Sequence, residues 1–566
     1  MLSLSLSSPR SQRSTPDEHT ARLLGWLLLA LLALMVLGPL VAILGQAVLS
    51  PQGQWQGLQV LQQTLTQPGT LAATLGSLKV ALATTALVVP LAYAYAMALT
   101  RVALPGRALF RLLALLPILA PSLLPGISLV YLFGNQGLLK SVFPDGGIYG
   151  FAGILIGEVF YAFPHALMIL LTALAVDDAR LYEAARTLGA GPLRRFFTLT
   201  LPATRYGLVS ATLVVFTLVV TDFGVAKVVG GQYPVLAIEA YKQVIGQQNF
   251  PRGAAIGLLL LLPAVLSFGV DRWLQRHQRN MVSSRAQPLQ MVNTPLTRTI
   301  ATLVCSVIGG ALLLLLGTAI TAAFIRQWPY QLDLTLAHFD FDMVDGGGWL
   351  AFANSLKLAL ATAVLGSLLV FAGAWCSSRV RAARRPGQLL HALAMLPMAV
   401  PGMVLGLGYI FFFNHPENPL HGLYGSMTLL VLCSVAHFYT TAHLTALTSL
   451  KQQDPDFEPV AASLKVSLWT TLWRVTLPAN LPAMLETARY FFVSAMTTVS
   501  AVIFLYTPDT VLASVAVLNM DDAGDTAAAA AMASLIVFSS AIACLLFALL
   551  SHGLLRRSQR WRQPRA

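Results

Sequence analysis

Asp177 to Pro202 reads DDARLYEAARTLGAGPLRRFFTLTLP, and its echo, Asp454 to Pro478, reads DPDFEPVAASLKVSLWTTLWRVTLP. Each stretch lies between two long apolar segments. In the first, Leu181, Ala184, Ala185 and Leu188 recur at i, i+3, i+4 and i+7, the spacing of one helix face. Phe457, Val460, Ala461 and Leu464 repeat that face in the second. Asp177 and Asp178 place negative charge where a helix begins, and Gly189 offers a left-handed stop. Leu201-Pro202 and Leu477-Pro478 close the two stretches at the same offset. The alanines (Ala184 and Ala185, Ala461 and Ala462) are small enough to let another surface approach the helix closely. A single copy reads equally as a docking element or as an ordinary helix, on the surface or resting on lipid headgroups. Two copies in one register, in corresponding loops, point to a docking element.

The chain is 56% hydrophobic and 10% charged, with a mean hydropathy of +0.70. A soluble domain carries about 25% charged residues, so the composition is that of an all-α, polytopic membrane protein. A span needs about 20 apolar residues, and twelve segments qualify: 24–48, 72–98, 109–133, 150–175, 205–227, 253–271, 300–324, 351–377, 389–413, 425–449, 482–505 and 527–553. Most of the 36 Lys and Arg fall on one side of this pattern. They lie in the tails (Arg22, Arg556), beside the second and eighth spans (Arg101, Arg379), in both quoted stretches (Arg180, Arg186, Lys465, Arg474) and in the middle of the chain (Arg272, Arg285). The positive-inside rule makes that side cytoplasmic, with both termini on it, and an even number of spans follows. The net charge of +13 thus marks loops near anionic lipid and not a nucleic-acid surface. The other side is acidic, with Asp333, Asp340, Asp342, Asp345, Asp509, Asp521, Asp522 and Asp525. These are either solvated loop charges or a rim for a basic partner. Cys305, Cys376, Cys433 and Cys544 all sit in apolar segments without metal spacing and read as packing residues.

The chain repeats itself. Ser77-Leu78-Lys79 matches Ser355-Leu356-Lys357, and Pro117, Pro121 and Gly126 match Pro397, Pro401 and Gly406, in the order that the quoted stretches complete. Both halves share one orientation, a parallel repeat about an axis along the membrane normal. The expected organisation is a tail (1–23), a first unit (24–271), a polar basic linker (272–299), a second unit (300–553) and a basic tail (554–566). Prolines inside corresponding spans, Pro121 and Pro401 among them, free backbone carbonyls that only protein or water can re-satisfy. They mark either structural kinks or a translocation path. Ionisable groups in spans are candidates for cargo contact: Glu158, and, in the polar stretch after the fifth span, Asp222 and Lys227. Lys227, Lys242 and Arg252 there would suit an anionic cargo. Glu486 and Arg489 are spaced to pair with each other.

The first loop, with Glu183-Ala184-Ala185, Gly189 and Leu201-Pro202, resembles the EAA loop of ABC importer permeases. The resemblance covers nearly the whole chain. It implies two type I permease units of about six spans each, forming an alternating-access path across a bacterial inner membrane. It also implies two ATPase subunits docked on Glu183, Ala184, Ala185, Leu188, Gly189 and Pro202 and on Phe457, Ala461, Ala462, Leu464 and Pro478, and a periplasmic binding protein on the other side. The second loop departs from the pattern: Pro459 aligns with Glu183, Glu458 comes one place earlier, and Lys465 replaces Gly189. The segment TDFGVAKVVGGQYPVLAIEAYKQVIGQQNF (221–250) is similar to that of fused permeases for 2-aminoethylphosphonate, a group close to ferric-iron permeases. No phosphate loop of the form G-x-x-x-x-G-K-[ST] occurs, so this chain is expected to bind no cofactor, to catalyse no reaction and to borrow ATP hydrolysis from its partner. The rival readings are an ion-coupled secondary transporter and a membrane-embedded enzyme or scaffold. Only one deep carboxylate and no catalytic constellation support them.

Overall fold

The computed structural model describes residues 16–49, 54–175, 178–278, 291, 293–341, 344 and 346–558. Asp177, Asp342, Asp345 and parts of the expected tails (1–23 and 554–566) and linker (272–299) lie outside them.

The first half runs α1 (Pro16–Gln46), α2 (Pro68–Arg101), α3 (Arg107–Leu115), α4 (Leu123–Phe133), α5 (Phe151–Leu174), α6 (Ala179–Thr187), α7 (Leu201–Thr221), α8 (Gly224–Val229), α9 (Leu236–Tyr241) and α10 (Phe250–Gln278). The second half repeats most of it as α11 (Pro295–Ala323), α12 (Gly348–Ser378), α13 (Arg384–Leu393), α14 (Gly402–Phe413), α15 (Met427–Gln452), α16 (Phe457–Ser463), α17 (Leu477–Thr497), α18 (Ala513–Asp522) and α19 (Thr526–Ser558). A short antiparallel hairpin, β1 (Ile325–Gln327) with β2 (Gln331–Leu334), follows α11. Among the described residues nine helices are long and apolar enough to cross a membrane, eleven if each bent pair counts as one span. The bent pairs are α3 with α4, at 102°, and α13 with α14, at 111°, so the spans expected at 109–133 and 389–413 are each broken at their prolines. The expected spans 205–227 and 482–505 also require correction. Their helices stop at Thr221 and Thr497, where Asp222 and Thr498 turn extended (φ −70°, ψ 139° and φ −71°, ψ 136°). α17, which carries Glu486 and Arg489, is not among the nine. It nevertheless packs on α12, α15 and α19 as α7 packs on α2, α5 and α10.

Helices in lipid gain nothing from burying apolar surface against one another, so close packing of small residues holds them together. α2, which packs on α5 and α7, buries Ala73, Gly76, Ser77, Ala81, Ala92 and Ala96. The Ser-Leu-Lys repeat has a physical cause. Leu236 N donates to Ser77 Oγ at 2.8 Å and Ala513 N to Ser355 Oγ at 2.8 Å, so each serine satisfies an orphan amide at the start of α9 or α18. The first helices are exchanged: α1 lies on α13 and α14 of the second half, while α11 lies on α3 and α4 of the first. Gly408 of α14 makes this approach possible, because a Cβ there would stand 2.7 Å from Pro39 O of α1.

Candidate functional site

α6 and α16 stand on one face, each between two long helices. Asp178 caps α6, its Oδ1 accepting from Arg180 N at 3.1 Å. At α16 the capping aspartate is displaced, and Asp454 Oδ1 instead accepts from Asp456 N at 2.9 Å. Pro459 occupies the first turn of α16, where a missing N–H costs no helical bond. Both helices stop in the same way. Gly189 is left-handed at φ +75°, with Gly189 N on Arg186 O (3.0 Å) and Ala190 N on Ala185 O (2.9 Å). Lys465 takes φ +57°, with Lys465 N on Ala462 O (3.1 Å) and Val466 N on Ala461 O (2.9 Å). The stop thus survives the loss of glycine, at the strain of a side chain in the left-handed region.

The Leu-Pro repeat is explained as well. Pro202 and Pro478 have no N–H to give four residues back. The ladder widens to a π turn over Phe196–Thr200 and Leu472–Thr476, closed by Leu201 N on Phe196 O and Leu477 N on Leu472 O. The apolar stripe read from the sequence faces outward on both loops. Leu188 is 86% exposed and Leu464 70%, and Leu181, Phe457 and Val460 are exposed beside them. Ala184 and Ala462 are exposed too, and Ala185 and Ala461 half-buried.

Between the halves, the breaks at Pro121 and Pro401 are re-satisfied by protein. The carbonyls four residues before these prolines find other donors: Pro117 O accepts from Ala120 N at 3.2 Å and Pro397 O from Val400 N at 3.1 Å. Thr440 of α15 donates to Ala394 O at 2.7 Å and accepts from Met398 N at 3.2 Å. Beside the first break, Glu158 of α5 is fully buried, close to the Asp222 carboxyl. Asp222 accepts from Ser122 and, through Oδ2, from Val225 N at 2.9 Å, which caps α8. The second half keeps the contact and drops the charge. Thr498 stands at the end of α17, and Gly402 packs against Ser500 Oγ and His437. The structure therefore brings Glu158, Asp222 and Pro121 together, and places Lys227 elsewhere.

Lys227 reaches across to the second half. Its Nζ lies 2.9 Å from Asp522 Oδ1 and 5.8 Å from the Tyr241 ring, which in turn meets Phe504 at 6.3 Å. Next to it, burial and the Asp522 carboxylate push Asp521 up to about 6, with Lys227 pulling the other way. A free cation cluster of Lys227, Lys242 and Arg252 is thus not what the fold presents, since Lys227 is already paired. Glu486 and Arg489 pair as their spacing implied, at 2.5 Å. The pair Lys227 and Asp522 is half solvated and worth ~0–1 kcal/mol. Lys227→Ala should therefore destabilise the protein only within that energy, as read by thermal unfolding. Lys227→Asp, which sets like charges together, should lower the unfolding midpoint more, and Lys227→Asp with Asp522→Lys should restore it. Failure of the exchange to rescue would show that the two residues do not act as a pair.

The profile described as "Binding-protein-dependent transport system inner membrane component" matches residues 89–280 and again 369–557. The chain belongs to this family. It is an all-α polytopic permease of two family units, and it is a multi-pass membrane protein. It is similar to a ferric transport system permease protein of Actinobacillus pleuropneumoniae, 29% identical over 460 residues, covering 78% of this chain and 66% of that protein. A thiamine transport system permease protein of Escherichia coli is 30% identical over 330 residues, covering 56% of this chain and 60% of the relative. A molybdenum transport system permease protein of Escherichia coli is 29% identical over 215 residues, 37% of this chain but 94% of the relative. One unit here thus corresponds to nearly all of a shorter permease, whereas the chain spans about two thirds of the length of the ferric relative.

Proposed function

We propose that this chain is the membrane-spanning subunit of an ATP-driven importer in a bacterial inner membrane. The face bearing α6 and α16 is cytoplasmic in this reading, as are both termini. The single observation that carries it is the pair of short helices. They share a register, a left-handed stop and a π turn, and each leaves an apolar stripe exposed beside a basic loop. A stripe of that kind fits a groove on a separate ATPase subunit, one per loop, with no catalysis and no cofactor in this chain. ATP-driven approach of the two ATPases moves α6 and α16 and tilts the halves about the interface where α8 and α18 meet. A substrate-binding protein delivers cargo to the opposite, acidic face. Glu158, Asp222, Pro121 and Pro401 line or support the path between the halves.

The cargo we propose is 2-aminoethylphosphonate, on the likeness of residues 221–250. Ferric iron is the second reading, favoured by the similarity over 78% of the chain to a ferric permease. Uptake of labelled 2-aminoethylphosphonate and of ferric iron in a strain lacking the gene, with and without ATP, tests both. Loss of ATP-dependent phosphonate uptake alone supports the first cargo, and loss of iron uptake alone the second. Uptake that follows the proton gradient in place of ATP overturns the mechanism.

A further inference from the structure

We propose that Arg101 and Arg379 are positioning residues that lock the two loop helices to α2 and α12, so that force on a loop enters the core of its half. Arg379 directly follows α12, and its side chain is only 8% exposed. One guanidinium there serves the end of one helix and the start of the next. Nη2 donates to Leu450 O in the last turn of α15 and, at 2.9 Å, to Gln453 O just after it. Nη1 donates to Asp454 O at 3.0 Å and to Glu458 Oε2 at 3.1 Å, in the first turn of α16. A planar fork with five donors can hold all four acceptors at once, and a lysine cannot. Cationic charge is also favoured at the C-terminus of α15.

The first half has the same device with different chemistry. Arg101 ends α2, is buried, and donates through Nη2 to Leu174 O, the last residue of α5, at 3.5 Å. Its guanidinium lies 5.4 Å from the centre of the Tyr182 ring. Counted back from Gly189 and Lys465, Tyr182 and Glu458 hold the same place. Tyr182 Oη in turn lies 2.9 Å from Thr200 Oγ1, tying α6 to its own π turn. Glu458 is therefore no displaced copy of Glu183. It is the partner of a buried arginine, and its carboxylate points into the protein. α2 and α12 are the helices against which α5 with α7, and α15 with α17, pack. Each arginine thus touches both the end of a long helix and the loop helix that follows it: Leu174 and Tyr182 for Arg101, Leu450 and Glu458 for Arg379. Arg379 holds its loop helix through charge-assisted hydrogen bonds, and Arg101 meets its own through a cation–π contact.

This inference rests on the importer reading, and the test separates the two. The complete complex, with its ATPase and binding protein, is placed in vesicles, and labelled 2-aminoethylphosphonate and, separately, ferric iron taken up per ATP hydrolysed are measured. If the unaltered complex shows no ATP-driven uptake, the importer reading fails. If it does, Arg379→Lys should keep ATP hydrolysis and lower uptake per ATP about tenfold, the loss of roughly one charge-assisted hydrogen bond. Glu458→Gln, which preserves shape, should act in the same direction and add nothing on top of Arg379→Lys. Arg101→Lys should act in the same direction in the first half. Thermal unfolding of each purified variant controls for folding, and Glu458→Gln keeps the test alive if Arg379→Lys does not assemble. Unchanged uptake per ATP in Arg379→Lys and Glu458→Gln overturns the proposal, as would a fall in ATP hydrolysis and uptake in equal proportion.

Discussion

Gly189→Val will lower ATP-driven uptake by about tenfold or more, while the chain enters the membrane at its normal level. The backbone there is left-handed at φ +75°, a conformation that costs a side chain ~1–2 kcal/mol and a β-branched one more. Space is not the issue, because a Cβ at Gly189 would meet nothing within 4 Å. The whole effect therefore comes from the helix stop, whose two closing hydrogen bonds set the direction of Leu188 and of the chain entering the π turn. A factor of ten corresponds to about 1.4 kcal/mol, within the strain that valine introduces. The mirror substitution is Lys465→Gly, which removes existing strain from the second loop and should leave uptake intact or raise it. Uptake assays beside immunoblots of membrane fractions decide the matter. Normal import by Gly189→Val at normal abundance would show that the loop geometry is not used in coupling.

Gly408→Leu will destabilise the protein by ~1–3 kcal/mol or more, the cost of forcing atoms into a packed interface. The clash is with Pro39 O at 2.7 Å and Pro39 C at 2.9 Å, which are main-chain atoms in the middle of α1 and cannot rotate aside. Gly310→Leu on α11 is the control. Nothing lies within 4 Å of a Cβ there, so the same added bulk should be neutral. Thermal unfolding in detergent reads the difference, and equal midpoints for the two variants would mean that α1 does not sit on α14 as described.

Repetition made the architecture readable. The loop helices, the Ser-Leu-Lys pair and the broken spans each appeared twice in one order, and each has a matching contact in the structure. What escaped were features that depend on distant partners. Arg101 and Arg379 read as inside-loop charges, because position along the chain does not say that a guanidinium is buried against carbonyls of another helix. Glu458 read as a shifted loop acid for the same reason. Lys227 read as part of a cation cluster, with nothing in its surroundings to name Asp522. The fifth and eleventh spans were drawn too long because hydropathy runs on through residues such as Val225 and Val502 after the backbone has turned at Asp222 and Thr498. Apolar periodicity likewise gives a helix a face but no neighbour, so the exchange of α1 and α11 was invisible.

That exchange sets an order of events during biosynthesis. Arg22 of α1 donates to Ala382 O just before α13, 360 positions downstream, and Asp17 accepts from Leu468 N later still. A ribosome adding ~5–20 residues per second leaves α1 in the lipid for roughly 20–70 s before that contact can form. Through that interval the prolines and glycines along its flank have no protein to rest on. The first half, released alone, would carry a helix without its groove and a groove without its helix. Joining both in one polypeptide guarantees that each nascent half finds the other at a fixed ratio and at high local concentration.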